Sequence, residues 1–163
     1  MQLKTIFNRV TKYKPFIVDR FDLAETGPPT IEITMRPREI GLPTCSVFGE
    51  RCSGYYMQPT PRRFDFVPLW MIRVVLVYRM RRVNCPGYGV KVERVPWSEG
   101  KSQLTTEYKW FLAGWARRMS WKEVAECFQV SWDHVYNSVK HAVFWGLSHR
   151  SLDGIESIGI DEV

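Results

Sequence analysis

Residues 120–143 read SWKEVAECFQVSWDHVYNSVKHAV, and this stretch decides the fold predicted for the C-terminal part of the chain. Ser120 is followed three residues later by Glu123, which is the pattern of a capping box at the start of a helix. A second start signal follows at Ser131, which is suited to an N-cap, with the negative charge of Asp133 in the first turn. We therefore predict two helices that are separated by a tight turn.

The apolar residues of this region recur at helical spacing. A preceding amphipathic helix is predicted by the stripe Leu104, Tyr108, Phe111, Leu112, Trp115 and Met119. The residues expected to face inward on the next two helices are Val124, Ala125, Phe128, Trp132, Val135, Val139 and Val143. We also expect Cys127 and five tryptophans to fill this core: Trp110, Trp115, Trp121, Trp132 and Trp145. This pattern is typical of a three-helix helix-turn-helix unit.

The third helix of such a unit would enter the major groove of DNA. The candidate DNA-binding residues on it are Trp132, Asp133, His134, Asn137, Ser138, Lys140 and His141. Asparagine can pair with adenine, and lysine can reach guanine or phosphate. Phosphate contacts are expected from Arg117, Arg118 and Lys122. The alternative is a plain helical hairpin with a polar outer face, but the net charge of +6 favours a polyanionic partner.

Upstream, within the apolar segment 63–83, residues 73–81 have the alternation of a two-faced strand. Apolar positions at Val74, Leu76, Tyr78 and Met80 alternate with more basic ones, and residues 64–67 suggest the antiparallel partner of a hairpin. Residues 30–35 read TIEITM and predict another short strand. The arginines expected to bind phosphate from this ribbon are Arg73, Arg79, Arg81 and Arg82.

The cysteines allow either metal binding or simple burial. Cys45 and Cys85 lie in two turn-like loops, CSVFG and CPGYG, and Cys52 could be a third ligand. A structural zinc site needs about four thiolate or imidazole ligands in a tetrahedron. The chain contains no CxxC pair, so the spacing alone is a weak signal for zinc.

The predicted fold class is α+β, a small β-hairpin zinc-finger-like module followed by the three-helix unit. We divide the chain into an N-terminal segment with a short strand (1–40), the finger-like module (41–97), the helical DNA-binding unit (98–150) and a terminal strand (151–163). The chain has no apolar run long enough to span a bilayer, and its N-terminus lacks the apolar centre of a signal peptide. We therefore expect a cytoplasmic, nucleoid-associated bacterial protein without a membrane partner.

Several motifs together resemble the N-terminal part of bacterial insertion-sequence transposases of the ISL-three type. They are RRFDFVPLW, RRVNCP-x-x-GVKVE-x-VPW, WFLA-x-WARRMSW-x-EVA, WGL-x-HR-x-LDGI and IGIDE. The resemblance implies a zinc finger, a helix-turn-helix and then a ribonuclease-H-like catalytic domain, whose first catalytic acid matches Asp161. The second and fourth zinc cysteines of that family are replaced here by Phe48 and Tyr88, so Cys45 and Cys85 remain.

The resemblance implies a truncated transposase that binds the terminal repeats of an insertion element and has no catalysis of its own. Asp161 is not expected to be active alone. We expect no cofactor, with zinc left as the alternative, and we expect Phe48 and Tyr88 to pack on each other where a metal would lie. Three rival functions stay open. They are an active transposase completed by a partner chain, a regulator that occupies DNA ends or associates with full-length transposase or itself, and a gene remnant without function.

Overall fold

The computed structural model describes residues 2–11, 13–24, 26–39, 41–151 and 153. The predicted terminal strand, with Asp161, lies outside these described residues. In chain order the elements are α1 (Leu3–Val10), β1 (Phe16–Ala24), β2 (Thr30–Pro37), β3 (Ser53–Met57), β4 (Arg62–Leu69), β5 (Ile72–Tyr78), β6 (Arg81–Cys85), β7 (Gly89–Val92), α2 (Thr106–Trp115), α3 (Trp121–Phe128) and α4 (Trp132–His149).

Four strands form the larger sheet in the order β1-β2-β5-β4. β2 runs parallel to β5, while β1 pairs with β2 and β4 pairs with β5 in antiparallel register. Because side chains alternate across a strand, one face of this sheet collects the apolar positions of all four strands. Trp97 is fully buried against that face, with ring centroids 4.8 Å from Phe16, 5.6 Å from Tyr78 and 5.9 Å from Phe64.

The smaller sheet has three antiparallel strands in the order β3-β6-β7. Its buried side holds Val83 together with Cys45, Cys52 and Cys85. The loop that carries Cys45 is attached to the end of β7 by a bridge between Cys45 and Glu93. The cysteine-bearing loops therefore belong to this sheet.

The predicted fold class is wrong in its architecture, although the class α+β is correct. The described residues contain seven strands in two sheets and four helices, not a small β-hairpin zinc-finger-like module followed by a three-helix helix-turn-helix unit. The β4–β5 hairpin is confirmed, but it pairs with β2 and thereby joins strands from residues 16–37. The two-faced strand predicted over residues 73–81 is interrupted at Arg79 and Met80, after which the chain enters the smaller sheet. Alternation along one segment cannot reveal which distant strand completes the sheet.

The three C-terminal helices pack on one another and on the larger sheet. Leu104, Tyr108, Leu112, Val124 and Val135 form their buried core, and Val67 from β4 packs against it. The backbone also connects the two layers, because the Asp65 N–H donates to the Gln103 carbonyl over 2.7 Å and the Thr105 N–H donates to the Asp65 carbonyl over 2.9 Å. The helices are thus attached to the larger sheet by both side-chain packing and backbone hydrogen bonds. None of the helices in the described part of the chain is both long and apolar enough to cross a membrane.

The local helix signals are confirmed, whereas the prediction of a tryptophan core is wrong. Ser120 and Glu123 form the capping box of α3, and Ser131 caps α4. The tryptophans found exposed are Trp110, Trp115, Trp132 and Trp145, and Cys127 is exposed as well. This small core is filled by leucine, valine and one tyrosine, which leaves the bulkier rings at its edge. Aromatic residues occupy so many positions in this region that their spacing does not define one face.

Candidate nucleic-acid interface

A three-residue turn, residues 129–131, sets the direction of α4 relative to α3. Gln129 ends α3 with φ of 52°, the left-handed conformation that usually favours glycine, and its N–H donates to the carbonyls of Ala125 and Glu126. The Ser131 hydroxyl then accepts a hydrogen bond from the His134 N–H over 3.2 Å. The start of α4 is therefore held by local hydrogen bonds as well as by the burial of Val135.

The predicted DNA-binding residues of α4 divide into exposed and enclosed groups. Asp133, Asn137 and Lys140 are exposed and lie on one side of the helix, because they are four and three residues apart. Ser138 is fully buried, and its hydroxyl donates to the His134 carbonyl over 2.6 Å. It is therefore turned away from any ligand on the exposed side.

Aromatic rings border this exposed side of α4 and form what we call the aromatic stripe: Trp121, Trp132, Tyr136 and Phe144. Trp132 and Tyr136 stack with centroids 5.6 Å apart and planes 8° apart, and Trp121 packs 5.4 Å from Trp132. The Lys140 ammonium lies 6.0 Å from the Tyr136 ring and 5.8 Å from the Phe144 ring. Tyr136 and Phe144 are not among the residues predicted from the sequence. The sequence signal that could have identified them is the four-residue spacing of Trp132, Tyr136, Lys140 and Phe144, which places three rings and a lysine along one side of a helix.

A basic cleft of about 510 Å³ lies between α4 and the segment before α2. The charged, imidazole and amide groups that line it are Lys101, Gln103, Lys109, His134, Asn137, Lys140 and His141. Partial burial lowers the pKa of His141, the positive charge of Lys109 lowers it further, and Glu99 opposes this shift. Burial is thus the main cause of the lowered pKa, while the lysines that line the cleft make it suited to an anionic group such as a phosphodiester.

The other predicted phosphate-binding residues of the helical region lie at the surface. Arg117 and Arg118 are exposed between α2 and α3. Lys122 is also exposed and forms only a long ion pair with Glu126, at 4.0 Å. These three cations are accessible to solvent and to a polyanion.

The four arginines predicted to form one phosphate-binding ribbon have different environments. Arg73 pairs with Asp65 at 2.7 Å, and Arg79 is exposed between β5 and β6. Arg82 is half-buried, and its Nε atom has no hydrogen-bond partner among the described residues. These arginines therefore differ in their exposure and in their pairing.

Arg81 is part of a buried polar cluster. Its guanidinium donates to Glu93 Oε2 over 2.8 Å and to the Gly41 carbonyl over 3.1 Å. The Tyr78 hydroxyl donates to Glu93 Oε1 over 2.6 Å, and burial together with this carboxylate raises the pKa of Tyr78. Arg81 therefore neutralises a buried carboxylate, which is a structural role.

Three thiols lie together behind the smaller sheet. Cys45, Cys52 and Cys85 are all buried and pack in one cluster with Val83. Burial by itself would raise the pKa of Cys45, but hydrogen bonds from the amides of Phe48 and Val47 outweigh it and lower that pKa. Burial raises the pKa of Cys52, and the neighbouring Cys85 raises it further. The cluster thus contains one thiol whose pKa is lowered and one whose pKa is raised.

Two aromatic rings cover these cysteine loops. Phe48 and Tyr88 pack with ring centroids 6.2 Å apart, which confirms the prediction that they contact each other. The three thiols do not complete a tetrahedral zinc site, because both positions that would supply further cysteines carry these rings. Within the described ranges, no group of three or more histidine, cysteine or acidic residues is arranged to hold a metal ion. We therefore derive no chemistry through zinc.

Comparison with known proteins relates the chain to transposases. It is similar to two proteins named transposase for insertion sequence element IS1557, from Mycobacterium tuberculosis strains CDC 1551 / Oshkosh and ATCC 25618 / H37Rv. Each is 29% identical over 132 residues, which is 79% of this chain and 29% of the relative. The chain therefore spans less than a third of the length of these curated relatives. No family model and no solved structure matches it.

Proposed function

We propose that this chain, as a relative of insertion-sequence transposases, binds duplex DNA at the terminal repeats of such an element. The observation that carries the proposal is the juxtaposition of Asn137 and Lys140 on the exposed side of α4 with a basic cleft lined by Lys101 and Lys109. The motifs that resemble ISL-three-type transposases support it. The proposal concerns binding only, and no described residue is assigned to strand cleavage or transfer.

Helix α4 is the element we assign to the major groove. The groove is about 12 Å wide, and a helix with its side chains is about 10–12 Å in diameter, so one helix fills it. Asn137 can then donate to and accept from an adenine edge. Lys140, one turn further along, reaches guanine or a phosphate. Ser138 is excluded from this contact because it is buried.

The remaining cations would supply affinity that does not depend on sequence. Lys101 and Lys109 face the cleft beside α4, while Arg117 and Arg118 are exposed nearby in the chain. Each phosphate that is neutralised releases condensed counterions, so binding weakens as salt concentration rises. We expect these residues to position the helix on the duplex without selecting bases.

Fluorescence anisotropy with a labelled terminal-repeat duplex and a scrambled duplex tests the proposal. We expect the wild-type chain to prefer the repeat and to lose affinity steeply as salt is raised. The Asn137→Ala/Lys140→Ala variant should lose that preference. Arg36→Ala, which removes an exposed cation from β2, is the control and should bind normally. Affinity that is indifferent to both sequence and salt would contradict the proposal.

A second candidate is regulation through association with another copy of the chain or with full-length transposase. Val143, Phe144 and Leu147, near the end of α4, are all more than half exposed, which favours a protein partner there. Light scattering of the wild type and of a Val143→Glu variant tests it. A wild type that is monomeric at all concentrations and does not co-purify with transposase would exclude this role.

A further inference from the structure

The tip of the β4–β5 hairpin presents two apolar residues in an unusual conformation. Trp70 and Met71 form a two-residue turn between the paired residues Leu69 and Ile72. Both have positive φ, 51° and 63°, a combination that such turns normally reserve for Asn-Gly. They are also among the most exposed large apolar residues, at 72% and 74%. A tryptophan and a methionine are thus held in a left-handed turn in water.

The hairpin below this tip is rigid. Phe64, Val74 and Leu76 of its two strands are buried in the main core, and β5 is paired on both sides. A strained turn persists when the surrounding structure determines it, and such strain is concentrated at functional sites. The tip therefore presents its two side chains from a fixed base, and neither packs into the core.

The tip lies beside the start of α4. A cavity of about 460 Å³ is lined on one side by Met71 and Arg73 and on the other by Gln129, Ser131 and His134. The latter three residues belong to the turn before α4 and to its first turn. The hairpin tip therefore lies across this cavity from the first turn of α4, the helix that we assign to the major groove.

The two residues of the tip carry no charge of their own. Arg73 is the nearest cation in sequence to the tip, and its guanidinium pairs with the Asp65 carboxylate at 2.7 Å. What remains exposed at the turn is an indole ring and a thioether. Indole rings stack on nucleobases, and apolar side chains enter between base steps of the minor groove.

We propose that Trp70 and Met71 form an apolar wedge that inserts between base pairs of the duplex next to the segment contacted by α4. This inference rests on the proposed function and adds a second, base-directed contact. The ligand class is an unstacked base step of duplex DNA. Its insertion kinks or opens the duplex beside the bound helix.

The Trp70→Asn/Met71→Gly variant of the full chain tests the wedge. Asn-Gly is the preferred sequence for this turn, so the variant should keep the hairpin and unfold at a temperature equal to or above that of the wild type. The probe is a terminal-repeat duplex with 2-aminopurine placed at successive steps beside the α4 segment. Wild-type binding should raise the fluorescence at one step, because 2-aminopurine brightens when unstacked. The variant should abolish that rise and bind roughly tenfold more weakly.

Two further variants separate the outcomes. Val10→Asn removes an equally exposed apolar residue at the end of α1, 73% exposed, and should leave both signals unchanged. If Asn137→Ala/Lys140→Ala weakens binding while the hairpin variant does not, the wedge is refuted and the proposed function stands. If the wild type binds no duplex, both are refuted. A hairpin variant that loses only self-association, with normal DNA binding, would show that the tip docks on protein and would also overturn the wedge.

Discussion

Replacement of Arg81 by methionine should destabilise the fold rather than impair DNA binding directly. The guanidinium is 15% exposed and faces a Glu93 carboxylate that is 0% exposed, with two nitrogens at 2.8 Å from Oε2. Without Arg81, that carboxylate keeps the Tyr78 hydroxyl and the residue 81 N–H, both at 2.6 Å, but loses its counter-charge. Removing one partner of a buried ion pair lowers the free energy of unfolding by about 3–5 kcal/mol, because the other charge stays buried without a partner. Because Arg81 is still partly exposed, we expect a loss of stability at the lower end of this range, about 3 kcal/mol.

Urea unfolding followed by circular dichroism measures this effect. With a slope of about 1–3 kcal/mol per molar urea, a loss of about 3 kcal/mol lowers the midpoint by about 1–3 M. The double variant Arg81→Met/Glu93→Gln removes both charges, so it should recover part of the loss. At a temperature where the single variant is folded, its affinity for DNA should match that of the wild type. A loss of stability below about 1 kcal/mol would refute the reasoning, because a buried uncompensated charge costs more than that. A fall in affinity as large as that of Arg117→Ala/Arg118→Ala would refute it too.

Three further predictions concern the interface and the cysteine cluster. Asn137→Ala should reduce the preference for the correct repeat by about 1–3 kcal/mol without changing the salt slope, as measured by anisotropy titrations at several salt concentrations. Because the folded state lowers the pKa of His141, the unfolded chain binds more protons around and below its ordinary value of 6.5, so stability should fall as the pH drops through that value. His141→Gln should lose less stability over the same range, and equal losses in thermal melts would contradict the assignment. Purified protein should contain less than stoichiometric zinc by elemental analysis, since the three clustered thiols lack a fourth ligand and Phe48 and Tyr88 replace the further cysteines of the finger that the chain resembles. One bound zinc per chain would refute this expectation.

The sequence by itself determined the helix starts and the β-hairpin, because these depend on residues that are close together in the chain. The capping box of Ser120 and Glu123 and the N-cap at Ser131 join residues a few positions apart, so their residue types alone predict where α3 and α4 begin. The β4–β5 hairpin and the packing of Phe48 on Tyr88 were predicted as well. The first depends on alternation along one short segment, and the second follows from the resemblance to a known finger.

Tertiary structure alone decided which strands share a sheet, which rings are buried and which cations are free. The parallel pairing of β2 with β5 joins segments separated by two other strands in the chain, and nothing local specifies it. The alternation of its strand predicts that Arg81 lies at the surface, yet Arg81 is largely buried in an ion pair with Glu93, which follows β7. Ser138 has the spacing of an exposed helical position, but it is buried. Periodicity defines the two sides of an element, whereas the side that is covered depends on a partner distant in sequence, and that partner is selected only when the core is packed.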